Sequence, residues 1–516
     1  MLPGAVSGQE ILSRLPVLLL WRAGTMTLLS PIAIMTQAST LQSRLADIVG
    51  EKHVLVEQDR IAGLLIDVRR SYEGQAICIV EPGSTEEVAA IMRLCSELDQ
   101  PVTPIGGNTG LVGGACVRGR PGPDGQETPG LGLSLRRMNR IREISALEGT
   151  ITVEAGCVLQ TIQEAAKAEG LFFPLSLSAE GSCQIGGNIA TNAGGTAALR
   201  YGVTRQLVMG LEVVLPSGEV LNGLTPLRKD NTGYDIRQLF IGAEGTLGVI
   251  TAAVMRVVPA PRSTATAMVA MTSVEDALEL LRRMHDTFGE RVSSAEITEA
   301  DYMRLVLERC VGTRLPFAEL PVWSLLLEVA DSRAGQDLRE PLEAVLAQAF
   351  EDGLVSDAVI AQNEAQAECF WHLRHGVSEA IRGLPNMSHD SSVPLLKQSE
   401  YARLTRERIT ARFPEARTLF VGHMGDGNMH LVVLFDPGTF ADRAAFLAVS
   451  AELDLIIDDV VIELGGSITA EHGIGLSYRK RLVRSADPAE LRLMRGIKAA
   501  FDPAGIMNPG KLFLPE

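Results

Sequence analysis

Two of the chain's eight histidines bracket a Gly-Asp-Gly: Gly422–His430 reads GHMGDGNMH. Asp-Gly between short apolar runs signals a two-residue hairpin, because a type I′ turn needs φ > 0 at both central residues. With the turn centred on Asp426 and Gly427, Gly425 faces Asn428, Met424 faces Met429 and His423 faces His430. Directly opposed side chains share one face, with Cβ atoms roughly 4.5–5.5 Å apart. Two imidazoles held so can grip one metal ion. The alternative is a polar cross-strand pair at a loop rim. A second short stretch, GSITAEHGIG (Gly466–Gly475), sets Glu471 beside His472 between glycines. Either residue is able to ligate a metal or to accept a proton.

Glycine is the second chemical signal. The fifty glycines cluster in IGGNTGLVGG (Ile105–Gly114), GSCQIGGNIATNAGG (Gly181–Gly195) and GAEGTLG (Gly242–Gly248). Glycine lets backbone N–H groups approach a ligand, and consecutive N–H groups make anion-binding nests suited to a pyrophosphate. Asn108, Thr109, Asn188, Thr191 and Asn192 add side-chain hydrogen bonds. No G-x-G-x-x-G follows a strand and no GxxxxGK[ST] occurs, so neither a Rossmann site nor a P-loop is supported. Any one such loop reads equally as a tight turn; three dense ones in one presumptive domain do not.

These residues need elements to position them. Length 516 suits two or three domains, and 46% hydrophobic with 21% charged residues indicates a globular chain with a sizeable core. The net charge of −16 comes with no Lys/Arg run, which argues against nucleic acid as a partner. Seven widely spaced cysteines without C-x-x-C argue against a disulfide framework and for reduced, mostly buried thiols in a cytoplasm. Leu15–Trp21 is too short to span a membrane. Residues 1–40 are expected to be a poorly ordered leader, or an upstream extension with Met26 or Met35 as the start. Helical spacing is seen at Leu41–Ile48, Glu57–Ile66, Val158–Glu169, Val274–His285 and Ala451–Leu464, and in a helix begun by Ser84 or Thr85 that runs to Leu98. Ile77–Glu81, Val102–Ile105, Thr150–Glu154, Ser324–Val329, Thr418–Val421 and Leu431–Phe435 read as strands. Leu211–Leu215 and Glu219–Leu221 read as a hairpin about Pro216-Ser217-Gly218. Arg118–Pro129 reads as an exposed excursion, and Pro259, Pro261 and Arg262 as a domain boundary.

Ile77–Pro259 resembles the FAD-binding domain of the vanillyl-alcohol oxidase and p-cresol methylhydroxylase superfamily. IGGNTGLVGG looks like its pyrophosphate loop. PLSLSAEGSCQIGGNIATNAGG, RYGVTRQLVMGLEVVLPSG and IGAEGTLGVIT look like the flavin-binding segments that follow. GHMGDGNMH, GSITAEHGIG and DPAGIMNPGK resemble the D-2-hydroxy-acid dehydrogenase branch, which holds D-lactate and D-2-hydroxyglutarate dehydrogenases and the flavin subunit of glycolate oxidase. The resemblance covers nearly everything after residue 41.

It implies an α+β fold: a two-part FAD domain at 41–262, a cap with antiparallel sheet and helices at 263–490, and a segment at 491–516 that returns to the FAD domain. It places FAD on Gly106, Gly107, Asn108, Thr109 and Gly110, on Gly181, Ser182, Gly186, Gly187, Asn188, Thr191, Asn192 and Gly194, and on Gly245, Gly248, Ile250 and Asn508. The pyrophosphate loop has no histidine or cysteine near the flavin-facing glycines, so non-covalent FAD is expected. By resemblance, His423, His430 and Glu471 hold a divalent metal, zinc by family habit, and His472 is the general base. Sequence alone permits the swap of Glu471 and His472.

The chemistry is coherent. A divalent cation lowers the pKa of an oxygen bound to it, and a nearby His or Glu then takes the proton while a flavin takes a hydride. The substrate carboxylate needs a cation. Phe370–Leu384 reads as one amphipathic helix with Phe370, Leu373, Val377, Ile381 and Leu384 inward, so that Arg374 and Ser378, at i,i+4, share a face. The family has a substrate-binding Arg and Thr at these two positions. His53, His285, Trp371, His372 and His375 read as structural. Two departures bear on substrate. Ser388 stands where the family often has Lys, and Val432 where hydroxyglutarate dehydrogenases have Asn. Both disfavour a dicarboxylate, with His389 a partial substitute for the lost cation.

The resemblance further implies an electron acceptor (quinone, cytochrome or electron-transfer flavoprotein), a homodimer, and a cytoplasmic protein with peripheral attachment at the inner membrane. The rival readings are a metal hydrolase on the same His/His/Glu set, which leaves the glycine loops without a use, and a flavin subunit of a larger glycolate oxidase-like complex.

Overall fold

The computed structural model describes residues 18–22, 25–29, 31–120 and 127–514. Within the expected leader, Leu18–Arg22 pairs with Thr25–Leu29, and a helix runs from Pro31 to Val49. That helix begins ten residues before the one read from Leu41. Proline at a first helical position costs no hydrogen bond, so Pro31 starts the helix instead of breaking the segment. Residues 121–126 of the expected excursion lie outside the described residues.

The first part of the chain carries two main sheets, beside a short ladder of Leu171–Phe172 with Val258–Pro259. In one, β1 (Val54–Leu55), β2 (Ala76–Val80), β3 (Val102–Ile105) and β4 (Gly130–Ser134) lie in the order β1-β2-β4-β3, with β4 parallel to both β2 and β3. Helix α1 (Thr85–Glu97) makes the crossover between β2 and β3. Its cap is Ser84, whose hydroxyl accepts from the Glu87 N–H, and it buries Val88, Ile91, Met92 and Cys95. The second sheet is antiparallel: β5 (Ile141–Ser145), β6 (Thr150–Glu154), β7 (Val208–Val214), β8 (Val220–Gly223) and β9 (Val249–Arg256), in the order β8-β7-β9-β6-β5. Helix α2 (Leu159–Ala168) and the short α3 (Ile185–Ala190) follow β6. One apolar core joins both sheets, and Ile506 and Met507, near the far end of the chain, belong to it.

The second part is one seven-stranded antiparallel sheet. Its strands are β10 (Ser263–Met271), β11 (Val292–Glu299), β12 (Trp323–Asp331), β13 (Asp357–Ile360), β14 (Asn386–Ser392), β15 (Arg417–His423) and β16 (Asn428–Leu434), in the order β13-β10-β12-β11-β15-β16-β14. One face buries residues of α4 (Val274–Phe288), of Gln398–Arg412 and of Arg443–Glu463. The other meets α5 (Ala300–Arg309), α6 (Glu364–His375) and α7 (Val377–Ala380).

Two expectations need correction. The hairpin is wider by two residues: His423 pairs with Asn428, and His430 pairs with Val421. A shift of two keeps side-chain parity, so both imidazoles stay on one face, diagonal instead of opposed. Second, Phe370–Leu384 is not one helix. Gly376 separates α6 from α7; Arg374 is 6% exposed while Ser378 lies at the surface, so the two do not share a face.

Candidate active site

Four neighbouring strands set out the site in rows. Across β11, β15, β16 and β14 the first row is Glu296, His423, Asn428 and Ser392; the second is Thr298, Val421, His430 and Asp390. A strand pair keeps opposed residues on one side, so Glu296, His423, Asn428, His430 and Asp390 share one face of the sheet. The loop after Gly466 lies over this face and adds Glu471 and His472.

One ligand atom each from His423, His430 and Glu471 lie within 4.8 Å of one another. His423 Nδ1 is 2.8 Å from Glu296 Oε1, and its Nε2 is 3.3 Å from Glu471 Oε1. His430 turns Nδ1 toward Asp390 Oδ1 at 3.5 Å. Each imidazole therefore has a carboxylate beside its Nδ1, which is how protein metal sites orient histidine, and His423 turns its Nε2 toward Glu471. Three protein donors match a catalytic site with an open position. Burial opposes charge on His423, but the adjoining Glu296 and Glu471 outweigh it and raise the imidazole to about 10. His430, in low-dielectric surroundings that outweigh its acidic neighbours, falls to about 4. Against the burial penalty, the histidines hold Glu471 well below the carboxylate range.

Asp390, 1% exposed, holds the loop. Its Oδ2 accepts from the N–H groups of Ala470, Glu471 and His472 at 3.2, 2.8 and 3.0 Å. His472 Nδ1 stands 3.7 Å from the same oxygen. Glu244, also buried, accepts from the Ile474 and Gly475 N–H groups at 2.8 and 2.7 Å. Burial pushes the Glu244 carboxyl up.

Glu244 also lines an open cleft walled by the glycine loops. Of the residues expected to hold FAD, Gly106, Gly107, Asn108, Thr109, Gly110, Gly186, Gly187, Asn188, Thr191, Gly245, Gly248 and Ile250 line it, and so does His472. Gly181, Ser182, Asn192, Gly194 and Asn508 stand outside that lining. Asn508 spends its amide on the Gly114 and Glu244 carbonyls, and Asn192 caps the Arg205 N–H. Gly194 lies beside Glu471, where an added Cβ would stand 3.6 Å from Glu471 Cγ. Gln184 Oε1 and Asn188 Oδ1 are buried in the cleft wall without a hydrogen-bond partner, and a Cβ at Gly110 or Gly187 would meet open space. Unpaired buried acceptors beside open backbone fit a polar cofactor. Cys183 lines the cleft too, its thiol pushed up by burial.

Arg374 is buried, its Nη2 in an ion pair 2.6 Å from Glu296 Oε2, and both Nη2 and Nε lack a hydrogen-bond partner. Ser388 and Val432 face each other across β14 and β16, two residues beyond Asp390 and His430. His389 alternates to the opposite face, beside Asp454 at 3.5 Å, and burial together with Arg481 lowers it to about 3. It cannot replace a cation next to Ser388.

Two protein-family descriptions match this chain: FAD binding domain over residues 76–223, and FAD linked oxidases, C-terminal domain, over residues 260–512. The D-2-hydroxyglutarate dehydrogenase of Bos taurus is 38% identical over 461 residues, 89% of this chain and 81% of its own length. The chain belongs to the FAD-linked D-2-hydroxy-acid dehydrogenases. A D-2-hydroxyglutarate dehydrogenase of Xanthomonas citri is 37% identical, covering 87% of this chain and 91% of its own. A putative D-lactate dehydrogenase of Schizosaccharomyces pombe is 35% identical, covering 86% and 83%. A substrate-bound p-cresol methylhydroxylase structure aligns at TM-score 0.67 and 16% identity, over 92% of this chain and 97% of its own, which shows the fold alone. The fold is α+β, of the vanillyl-alcohol oxidase type, and the dehydrogenase is an FAD-linked oxidoreductase.

Sequence reasoning missed Glu244, Glu296, Asp390 and Asn428. Glu244 is the one charge inside a glycine run. Ser294, Glu296 and Thr298 alternate as a solvent-facing strand would. Nothing beside Asp390 in the sequence marks its role.

Proposed function

We propose that this dehydrogenase oxidises a D-2-hydroxy acid with an uncharged side chain to the 2-oxo acid. The carrying observation is that His423, His430 and Glu471 converge beside His472, which also lines the glycine cleft. In this reading 41–262 is the flavin-binding part, 263–490 the cap, and 491–516 the returning segment. Bound FAD would supply a hydride acceptor, and a divalent ion on His423, His430 and Glu471, zinc by donor type, a Lewis acid that acidifies the substrate hydroxyl.

His472 accepts the hydroxyl proton. Asp390 holds its backbone N–H and stands behind its Nδ1, which orients the ring and offsets the positive charge it gains. Arg374 offers unpaired N–H groups to the substrate carboxylate. Ser378, at the surface, is a weaker candidate for that contact. Val432 packs with Leu419, Val421 and Leu434, and its partner Ser388 is uncharged. A D-lactate-like acid suits this wall better than the dicarboxylate in the names of several relatives.

The electron acceptor, in this reading, is a quinone, cytochrome or electron-transfer flavoprotein. Among the described residues no helix is long and apolar enough to cross a membrane, so contact with a membrane-borne acceptor would be peripheral. Steady-state oxidation with a dye acceptor tests the substrate. D-lactate and D-2-hydroxybutyrate should exceed D-2-hydroxyglutarate in kcat/KM, and the L-acids should be inert. Preference for D-2-hydroxyglutarate would reject the uncharged-substrate reading.

A further inference from the structure

Glu296 has no place in the roles above. It sits mid-strand on β11, 1% exposed, directly opposite His423 on β15. Its two oxygens divide their work: Oε1 takes His423 Nδ1 at 2.8 Å, and Oε2 meets Arg374 Nη2 at 2.6 Å. His423 is thereby left with Nε2 for a metal. Arg374 is held to Glu296 by an ion pair through Nη2, while neither Nη2 nor Nε makes a hydrogen bond. One rigid carboxylate thus anchors a residue of the metal set and the residue offered to the substrate carboxylate.

The substrate chemistry gives this a meaning. In a 2-hydroxy acid the hydroxyl and carboxylate sit on adjacent carbons, so the group that receives the hydroxyl and the group that receives the carboxylate must be held at one short separation. A strand-borne carboxylate hydrogen-bonded to one and ion-paired with the other fixes that separation better than two independently mobile side chains would. The opposite half of the site is served by Asp390, which stands against His430 and His472.

We propose that Glu296 is a positioning residue that locks the metal set and the substrate-carboxylate cation in register. This rests on the functional reading above.

The test is equilibrium binding on purified FAD-loaded protein. Zinc affinity is read by chelator competition, and oxalate affinity on metal-free protein by perturbation of the flavin spectrum. In Glu296→Gln, zinc affinity should fall about 10- to 100-fold, as for outer-shell partners of metal-bound histidine. Oxalate affinity should fall about tenfold or more, the order of one charge-assisted hydrogen bond. The flavin band should hold. An unchanged zinc affinity, or an unchanged oxalate affinity, overturns the proposal.

Removing one partner of a buried ion pair is apt to destabilise, whereas removing both is better tolerated. Should Glu296→Gln not fold, Glu296→Gln/Arg374→Met against Arg374→Met reads the His423 arm alone. There a zinc affinity lower by about tenfold supports the role, and equal affinities reject it. Wild-type protein that binds neither zinc nor oxalate would refute the functional reading, and this inference with it. Wild-type binding with indifferent variants would refute this inference alone.

Discussion

The glycine cleft and the histidine site touch at His472, yet they are built differently. The cleft is shaped largely by backbone, from loops each contiguous in sequence. The histidine site is made of side chains from four strands and one loop, and it is held by three buried carboxylates, Glu244, Glu296 and Asp390, far from it in sequence. A backbone site fails when a Cβ is added. A side-chain site fails when a group behind it is removed.

The sharpest break between the two regions should come at their shared residue. His472→Asn is expected to lower turnover by about 10²- to 10⁴-fold, the worth of a general base, with the yellow absorbance band intact. Rapid-mixing kinetics of flavin reduction would check this, and loss of the flavin itself would count against separate regions.

On the side-chain half, Arg374→Met should raise KM for the acid by about 10- to 100-fold, the loss of charge-assisted hydrogen bonds. kcat should fall less, read by steady-state assay across acid concentrations.

The backbone half can be divided within itself. A Cβ at Gly107 would lie 2.2 Å from the Ser182 carbonyl oxygen, whereas one at Gly187 meets nothing within 4 Å. Gly107→Ala should therefore cost about 1–3 kcal/mol of stability through overpacking. Gly187→Leu should fold normally but purify with little FAD. Thermal melts with flavin quantitation distinguish the two, and equal effects would erase the distinction.

The smallest change concerns substrate choice. Ser388→Lys with Val432→Asn should shift the kcat/KM ratio toward D-2-hydroxyglutarate over D-lactate by about tenfold, near the worth of one charge-assisted contact. No shift would place the side-chain wall elsewhere.

The two regions also differ in how far they could be read from sequence. Val102–Ile105 and Thr150–Glu154 are strands at the bounds read from sequence, because β-branched runs and glycine stops are local signals. The cleft loops were legible for the same reason. His423, His430 and Glu471 were legible as types, and a hairpin misread by two residues still gave the right face, since parity survives an even shift. The carboxylates were not legible. Glu296 acquires its role through strand neighbours more than a hundred residues away, and nothing beside it in sequence marks burial. Arg374 and Ser378 failed as a pair because helical periodicity was carried through Gly376.

The most direct measurement is anaerobic bleaching of the flavin band by D- and L-lactate, before and after chelation. The account predicts bleaching by the D-acid, lost on chelation and restored by zinc, with the flavin retained throughout. Bleaching that is indifferent to chelation would contradict it, and would recast His423, His430 and Glu471 as a structural cluster.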